Sequence, residues 1–224
     1  FDIFSLTAEQ GKPGTVIFSR FLAGGVSARS PAVGAVSLAI PGESESGDAW
    51  DLRTDDRSWE LLVADGLGHG PFAHEASLEA IHAFRDGETD RSPSGALQRM
   101  HARLRSTRGA AAAVAVIDTA KGTIRYGGVG NISGAVVELE GRRQMVSYNG
   151  TLGHQLRKLQ EFTYPISRGA LVVMHSDGIA SGWDFSRYPG LIMRHPAVMA
   201  GVIYRDFNRG HDDSTVVVLR GAAS

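Results

Sequence analysis

The sequence predicts an α+β fold in which antiparallel sheets pack on one another with helices outside. Three observations predict it. Strand-like runs cluster: strands come first, then two adjacent helices, a long series of strands, one helix and a closing strand. A doubly wound parallel sheet would need strands and helices to alternate. The 28 glycines, in a chain of 224 residues, sit at strand ends and turns and form no repeat. Two of the most apolar runs, Leu61–Ala64 and Leu171–His175, each lead into an Asp-Gly pair, at Asp65-Gly66 and Asp177-Gly178.

Taken in order, Phe1–Ser5 and Thr15–Leu22 read as two strands joined by a turn at Gln10–Gly14, and Ala23-Gly24-Gly25 reads as a linker. Residues 1–24 are therefore set apart as an N-terminal strand pair, and 25–224 as one domain. Val33–Ile40 is the next strand. Pro41–Gly47 is a polar loop that runs on into Asp48-Ala49-Trp50, and Trp59–Asp65 is a buried strand. Phe72–Phe84 has helical spacing at Phe72, Ala76, Ala80, Ile81 and Phe84, with Pro71 in a position where its missing N–H costs nothing. Ser92-Pro93-Ser94 opens a second helix that continues through Leu104. Four strands follow at 111–118, 123–127, 132–138 and 142–146, with hairpin turns at Ala120-Lys121-Gly122 and Glu140-Gly141. Leu159–Tyr164 and Ala170–His175 are further strands, Pro196–Phe207 is a helix, and Asp213–Arg220 closes the chain. The segment Trp183–His195 has no clear periodicity and reads as a flap or a docking surface.

Composition narrows the function. A formal net charge of −1 supplies no global field toward nucleic acid or an anionic membrane. No apolar run approaches the ~18 residues a transmembrane helix needs. With no cysteine, any metal must be held by oxygen or imidazole. These features suit a cytoplasmic protein. The first residue is Phe, which suggests a chain trimmed from something longer.

The chemistry gathers where loops meet strands. Asp65 leaves a buried strand into Gly66-Leu67-Gly68-His69-Gly70, a loop with little side-chain bulk. It can cap the helix that follows or meet a metal or phosphate at close range. Asp48 follows a glycine, Asp177 ends an apolar strand, and Asp212-Asp213 precede the last strand. Each alone reads as a turn residue or a cap. Brought together, they would need something positive between them, and oxygen ligands suit Mg²⁺ or Mn²⁺.

The blocks Gly47-Asp48, Val63–Gly70, His175–Gly178 and His211–Val218, in that order, resemble the metal-dependent type 2C serine/threonine phosphatases. Within that family they are most similar to the bacterial SpoIIE branch, especially its RsbX-like members. The resemblance implies a four-layer β-sandwich flanked by antiparallel helices, with two Mn²⁺ or Mg²⁺ ions at one end. It implies that Asp65 bridges the ions, that the Gly66 carbonyl ligates one, and that Asp48, Asp177 and Asp212 complete the ligands. Asp213 would instead hold the loop by hydrogen bonds. The ions would activate a water for in-line attack on phosphorus, and His69 is the candidate acid for the leaving oxygen. Tyr126–Asn131 is similar to the family's Gly-Asn turn; Asn131 either contacts the site or allows a tight turn, and the turn is the preferred reading. No arginine stands at the family's phosphate-clamping position; Arg53 and Arg29 are the candidates.

The implied function is removal of phosphate from phosphoserine or phosphothreonine on an anti-anti-sigma (STAS-type) protein in a partner-switching pathway. A silent scaffold domain of the same fold and a small-molecule phosphohydrolase are the alternatives. Phe1–Ser5 with Gly11–Val16 resembles the end of an anti-sigma-type histidine-kinase-like ATPase domain, so an anti-sigma kinase domain, fused or separate, is a second implied partner. The competing reading is a hairpin native to the phosphatase.

Overall fold

Side-chain alternation along one central strand sets the layers of the molecule. The computed structural model describes residues 1–6, 13–20, 32–55, 58–87, 90–156 and 158–221. In β5 (Ser58–Gly66), Trp59, Leu61 and Val63 enter one core while Leu62 and Ala64 enter another. Such two-sided burial, in a run that is apolar almost throughout, is what a strand at the centre of a layered fold requires. β5 pairs with β4 (Asp48–Thr54) on one side and β6 (Ala110–Asp118) on the other. With β7 (Thr123–Val129) and β10 (Phe162–Pro165), they form an antiparallel five-stranded sheet in the order β10-β7-β6-β5-β4.

The second sheet is also antiparallel and five-stranded, in the order β3-β12-β11-β8-β9. Its strands are β3 (Ala32–Leu38), β8 (Ser133–Glu138), β9 (Gly141–Met145), β11 (Leu171–His175) and β12 (Ser214–Arg220). Val136, Val172, Met174, Val217 and Leu219 from this sheet meet Trp59, Leu61, Val63 and Ile117 from the first in the central core. Each fully buried aliphatic or aromatic side chain here contributes ~1.5–3 kcal/mol relative to exposure.

Helices cover both outer faces. α1 (Pro71–Arg85) and α2 (Pro93–Arg103) bury Ala76, Ala80, Phe84, Leu97 and Met100 against Leu62, Ala64, Ala112 and Val114. On the other side lie α3 (Pro196–Phe207) and the hairpin of β1 (Asp2–Leu6) and β2 (Gly14–Phe18). Phe4 and Leu6 join Val198, Val202 and Ile203 in that core, and Val16 and Phe18 pack against it. Among the described residues, the fourth layer thus holds one α-helix with a β-hairpin beside it. Among the described residues, no helix is long and apolar enough to cross a membrane.

The sequence reading places most elements within a few residues of those found, and the bounds of α3 coincide with it. Two features differ. The stretch read as a loop running on from Gly47 is β4, an edge strand whose Trp50 and Leu52 turn toward the central core. Phe72, read as part of the buried face of α1, is 61% exposed. Most of the turn before β2, the proposed linker at Ala23–Gly25 and Arg29 fall outside the described residues.

Candidate active site

Asp48 and Asp65 are directly paired across β4 and β5. The adjacent pair, Gly47 and Gly66, is joined by a hydrogen bond from Gly66 N–H to the Gly47 carbonyl at 3.0 Å. Alternation along an antiparallel ladder makes the next pair non-hydrogen-bonded, the kind in which side chains stand closest. Both aspartates continue the series that faces the other sheet, Trp50 and Leu52 on β4 and Leu61 and Val63 on β5. They therefore project between the sheets at one end of the sandwich.

The second sheet delivers the remaining blocks to that end. Beyond Met174 on β11, Ser176 keeps the inward direction, and its hydroxyl donates to Asp48 Oδ2 at 2.6 Å. That hydroxyl accepts in turn from Thr215 N–H on β12, at 3.0 Å. Asp213, just before β12, accepts from Ile40 N–H at 2.8 Å and from Gly47 N–H at 2.7 Å. This is the loop-holding role expected for Asp213, and it fixes the backbone that presents Asp48. α1 adds another tie, because His74 Nδ1 donates to the Ser46 carbonyl at 2.8 Å. Asp212 accepts from Asp213 N–H at 2.9 Å.

Two glycines let the backbones come together. A Cβ on Gly66 would stand 2.0 Å from the Ala73 carbonyl oxygen, so the first turn of α1 can lie directly on the strand end. A Cβ on Gly178 would stand 2.0 Å from the Asp213 carbonyl oxygen.

Electrostatics marks the same place. Burial, followed by the charges of Asp48, Asp177, Asp212 and Asp213, pushes the Asp65 carboxyl well above the usual carboxylate range. Asp48 is raised chiefly by burial, against the lowering effect of hydrogen bonds from Ser176 and Thr215. Burial and then Asp177 raise Asp212. Asp48 Oδ1 is buried without a hydrogen-bond partner in the protein.

An orphaned carboxylate oxygen among mutually repelling aspartates fits a hard divalent cation. Among the described residues, no three His, Asp or Glu side chains close on one point as a ready-made cage. The donor set therefore suits ions that keep much of their water and take one or two carboxylates each, as Mg²⁺ does.

Three residues behave differently from their sequence reading, or go beyond it. Asn131 is not merely a turn residue: its amide donates to Asp177 Oδ2 at 2.6 Å. Gly130, at φ 92°, carries the left-handed turn and frees Asn131 for that contact. His69 is exposed, with Nδ1 2.7 Å from Glu43 Oε1. Glu43 lies in the polar loop before β4, 26 residues away in sequence, and nothing in the chain's pattern singled it out. Arg53 does not face the aspartates; its Nη1 donates to the Phe84 and Gly87 carbonyls.

The family profile of Stage II sporulation protein E (SpoIIE) matches residues 55–221, about three quarters of the chain. The chain belongs to the SpoIIE family. Of the four aspartate blocks, only Asp48 lies outside the matched residues. Phosphoserine phosphatase RsbX of Bacillus subtilis (strain 168) is 27% identical over 139 residues, which cover 62% of this chain and 69% of that protein. A solved chain from work on the bacterial stressosome, described as a modular system adapted to control secondary messenger signalling, superposes with a TM-score of 0.77 at 30% identity, covering 85% of this chain and 100% of that one. RsbX in complex with magnesium superposes with a TM-score of 0.74 at 22% identity, covering 84% and 94% of the two chains. This SpoIIE-family chain has the type 2C phosphatase fold.

Proposed function

We propose that this SpoIIE-family chain is a metal-dependent protein phosphatase. It hydrolyses phosphoserine or phosphothreonine on an anti-anti-sigma (STAS-type) protein in a bacterial partner-switching pathway. The observation that carries this reading is the convergence of Asp48, Asp65, Asp177 and Asp212 on one end of the sandwich, with a buried oxygen of Asp48 left unpaired. The phosphoserine phosphatase relative and the family membership support the reaction class.

Asp65, the Gly66 carbonyl, Asp48, Asp177 and Asp212 are the groups that would hold two Mn²⁺ or Mg²⁺ ions. Bound there, such ions neutralise phosphoryl charge and activate water. The chain's own residues do the rest. Ser176 and Thr215 keep Asp48 oriented, Asp213 holds the loop behind it, and Asn131 fixes Asp177. As a water oxygen bonds to phosphorus and gives up one of its protons to solvent, the bond from phosphorus to the serine or threonine oxygen breaks, and that oxygen takes up a proton. His69, steadied at Nδ1 by Glu43, would supply it from Nε2.

The entrance supports a macromolecular substrate over a small metabolite, because Leu67, His69 and Phe72 around the glycine loop are all exposed. The test is phosphate release from a phosphoserine-bearing STAS-type protein with and without Mn²⁺. Metal-dependent release that Asp65→Asn abolishes is expected. No release by the metal-loaded wild type would overturn the reading.

A further inference from the structure

The charge at the aspartate end of the sandwich is dominated by Asp48, Asp65, Asp177, Asp212 and Asp213, yet a phosphoserine brings about two further negative charges. Something on the protein side has to grip those oxygens. Arg53 is occupied by the Phe84 and Gly87 carbonyls at the end of α1. Arg108, just before β6, is placed differently. Its guanidinium lies 5.0 Å from the centroid of the exposed Phe72 ring at the start of α1. Its Nη1 stands 3.0 Å from the point a Cβ on Gly68 would occupy. Among the described residues it has no carboxylate within ion-pair distance, unlike Arg85, Arg91, Arg103 and Arg125.

Gly68 ties this guanidinium to the site. Its carbonyl oxygen is 3.4 Å from the position of a Cβ on Gly47, the residue before Asp48, so one backbone segment separates Arg108 from the aspartate pair. The approach is fixed by pairing, since Leu67 N–H donates to the Gly109 carbonyl at 3.0 Å and extends the β5–β6 ladder to the neighbour of Arg108. A guanidinium seated over a ring by its face keeps its N–H edge available for phosphate.

We propose that Arg108 binds the substrate's phosphoryl group, reaching across the side-chain-free loop at Gly68 from its seat on Phe72. This rests on the phosphatase reading above. The experiment compares wild type, Arg108→Ala, Arg108→Lys, Arg209→Ala and Arg105→Ala, using a phosphoserine peptide with Mn²⁺ and calorimetric titration of inorganic phosphate. Arg108→Ala is expected to raise KM about tenfold or more and to weaken phosphate binding in parallel, with kcat within about threefold, as loss of a charge-assisted bidentate contact dictates. Arg108→Lys recovers part of the loss, and the exposed neighbour variant Arg105→Ala behaves as wild type. Unchanged KM and phosphate affinity in a folded Arg108→Ala protein overturn the proposal. So does a shift carried by Arg209→Ala, whose residue lies in the loop before Asp212. A wild type that turns over nothing defeats the phosphatase reading, while the phosphate titration still judges Arg108.

Discussion

Asp48 faces Asp65 directly across the β4–β5 pair, in a register where like charges oppose each other at the closest spacing the ladder offers. Without a cation this arrangement costs stability, and its repulsion is part of what raises the Asp65 carboxyl. Asp65→Asn keeps the shape and removes a carboxyl whose burial beside Asp48 is unfavourable whether it is ionised or protonated. In chelator the variant is expected to melt about 2–4 °C above wild type, the shift that ~1 kcal/mol produces in a chain of this size. With Mg²⁺ or Mn²⁺ the order reverses, because wild type gains ligand-linked stability that the variant lacks. Differential scanning calorimetry in both buffers measures this. A metal-induced rise in Tm equal in the two proteins would show that Asp65 holds no ion.

Asp213 contributes as a bracket: one carboxylate accepts from Ile40 N–H and Gly47 N–H across the sheet end. Asp213→Ala leaves both donors without this acceptor, and the contact with Gly47 is buried. Charged acceptors contribute about 1.5–3 kcal/mol per bond, so a net loss of ~2–4 kcal/mol is expected after some relief of acidic repulsion. Asp213→Asn, which keeps one carbonyl oxygen, falls between. Urea unfolding followed by tryptophan fluorescence reads the difference; an Asp213→Ala midpoint equal to wild type would remove Asp213 from this role.

Much of this site is legible from sequence because three of its aspartates close or precede apolar runs, a pattern independent of tertiary detail. Asp65 follows Leu61–Ala64, Asp177 follows Leu171–His175, and Asp212 precedes Ser214–Leu219. β4 was harder to see. As an edge strand it alternates Trp50 and Leu52 with Asp51 and Arg53, and the charged members mask the period over so short a run. Asn131 is ambiguous in sequence because a Gly-Asn pair looks like a turn from either residue, whereas Gly130 alone supplies the positive φ. Glu43 and Arg108 carry no local signal. Their significance comes from loops that meet only after the sheets have packed, through His69 in one case and Gly68 in the other.

The division of labour at the Gly-Asn turn can be measured. Asn131→Ala removes a 2.6 Å contact with Asp177 on an exposed rim and leaves the backbone conformation intact. Its stability should stay within about 0.5 kcal/mol of wild type, as is usual for surface changes. Metal activation should instead need roughly tenfold more Mn²⁺, the scale of losing a group that orients a ligand. Gly130→Ala inverts the pattern, because a Cβ there lies 2.4 Å from Ala111 Cβ at a φ that side chains avoid. An Asn131→Ala protein with wild-type metal dependence would return Asn131 to the role of turn residue.

Close packing of α1 on β5 gives a prediction in the fold itself. Gly66→Ala places a methyl group 2.0 Å from the Ala73 carbonyl oxygen, and the obstacle is backbone, which cannot rotate away. Overpacking of this kind costs ~1–3 kcal/mol or more, and here it also displaces the strand end that carries Asp65. Loss of both stability and activity is expected. Gly182→Ala meets open space and should change neither. Circular dichroism melts of the two variants make the comparison, and a Gly66→Ala protein as stable as Gly182→Ala would contradict the packing described.

The pairing of His69 with Glu43 bears on which step the histidine serves. If it donates a proton to the departing oxygen, its importance must follow how badly that oxygen needs one. A serine alkoxide is a poor leaving group, whereas p-nitrophenolate leaves without help. His69→Gln is therefore expected to lower kcat by ~10²-fold or more on a phosphoserine substrate, the usual scale of general acid catalysis, and by only about threefold on p-nitrophenyl phosphate. Glu43→Gln should show the same selectivity at smaller amplitude, because it loosens the imidazole without removing it. The two substrates are compared on one preparation at one metal concentration, so any change in ion occupancy affects both alike. Equal losses on the two substrates would assign His69 to the structure of the glycine loop or to phosphate binding; a kcat loss confined to phosphoserine, with KM unchanged, assigns it to the breaking bond.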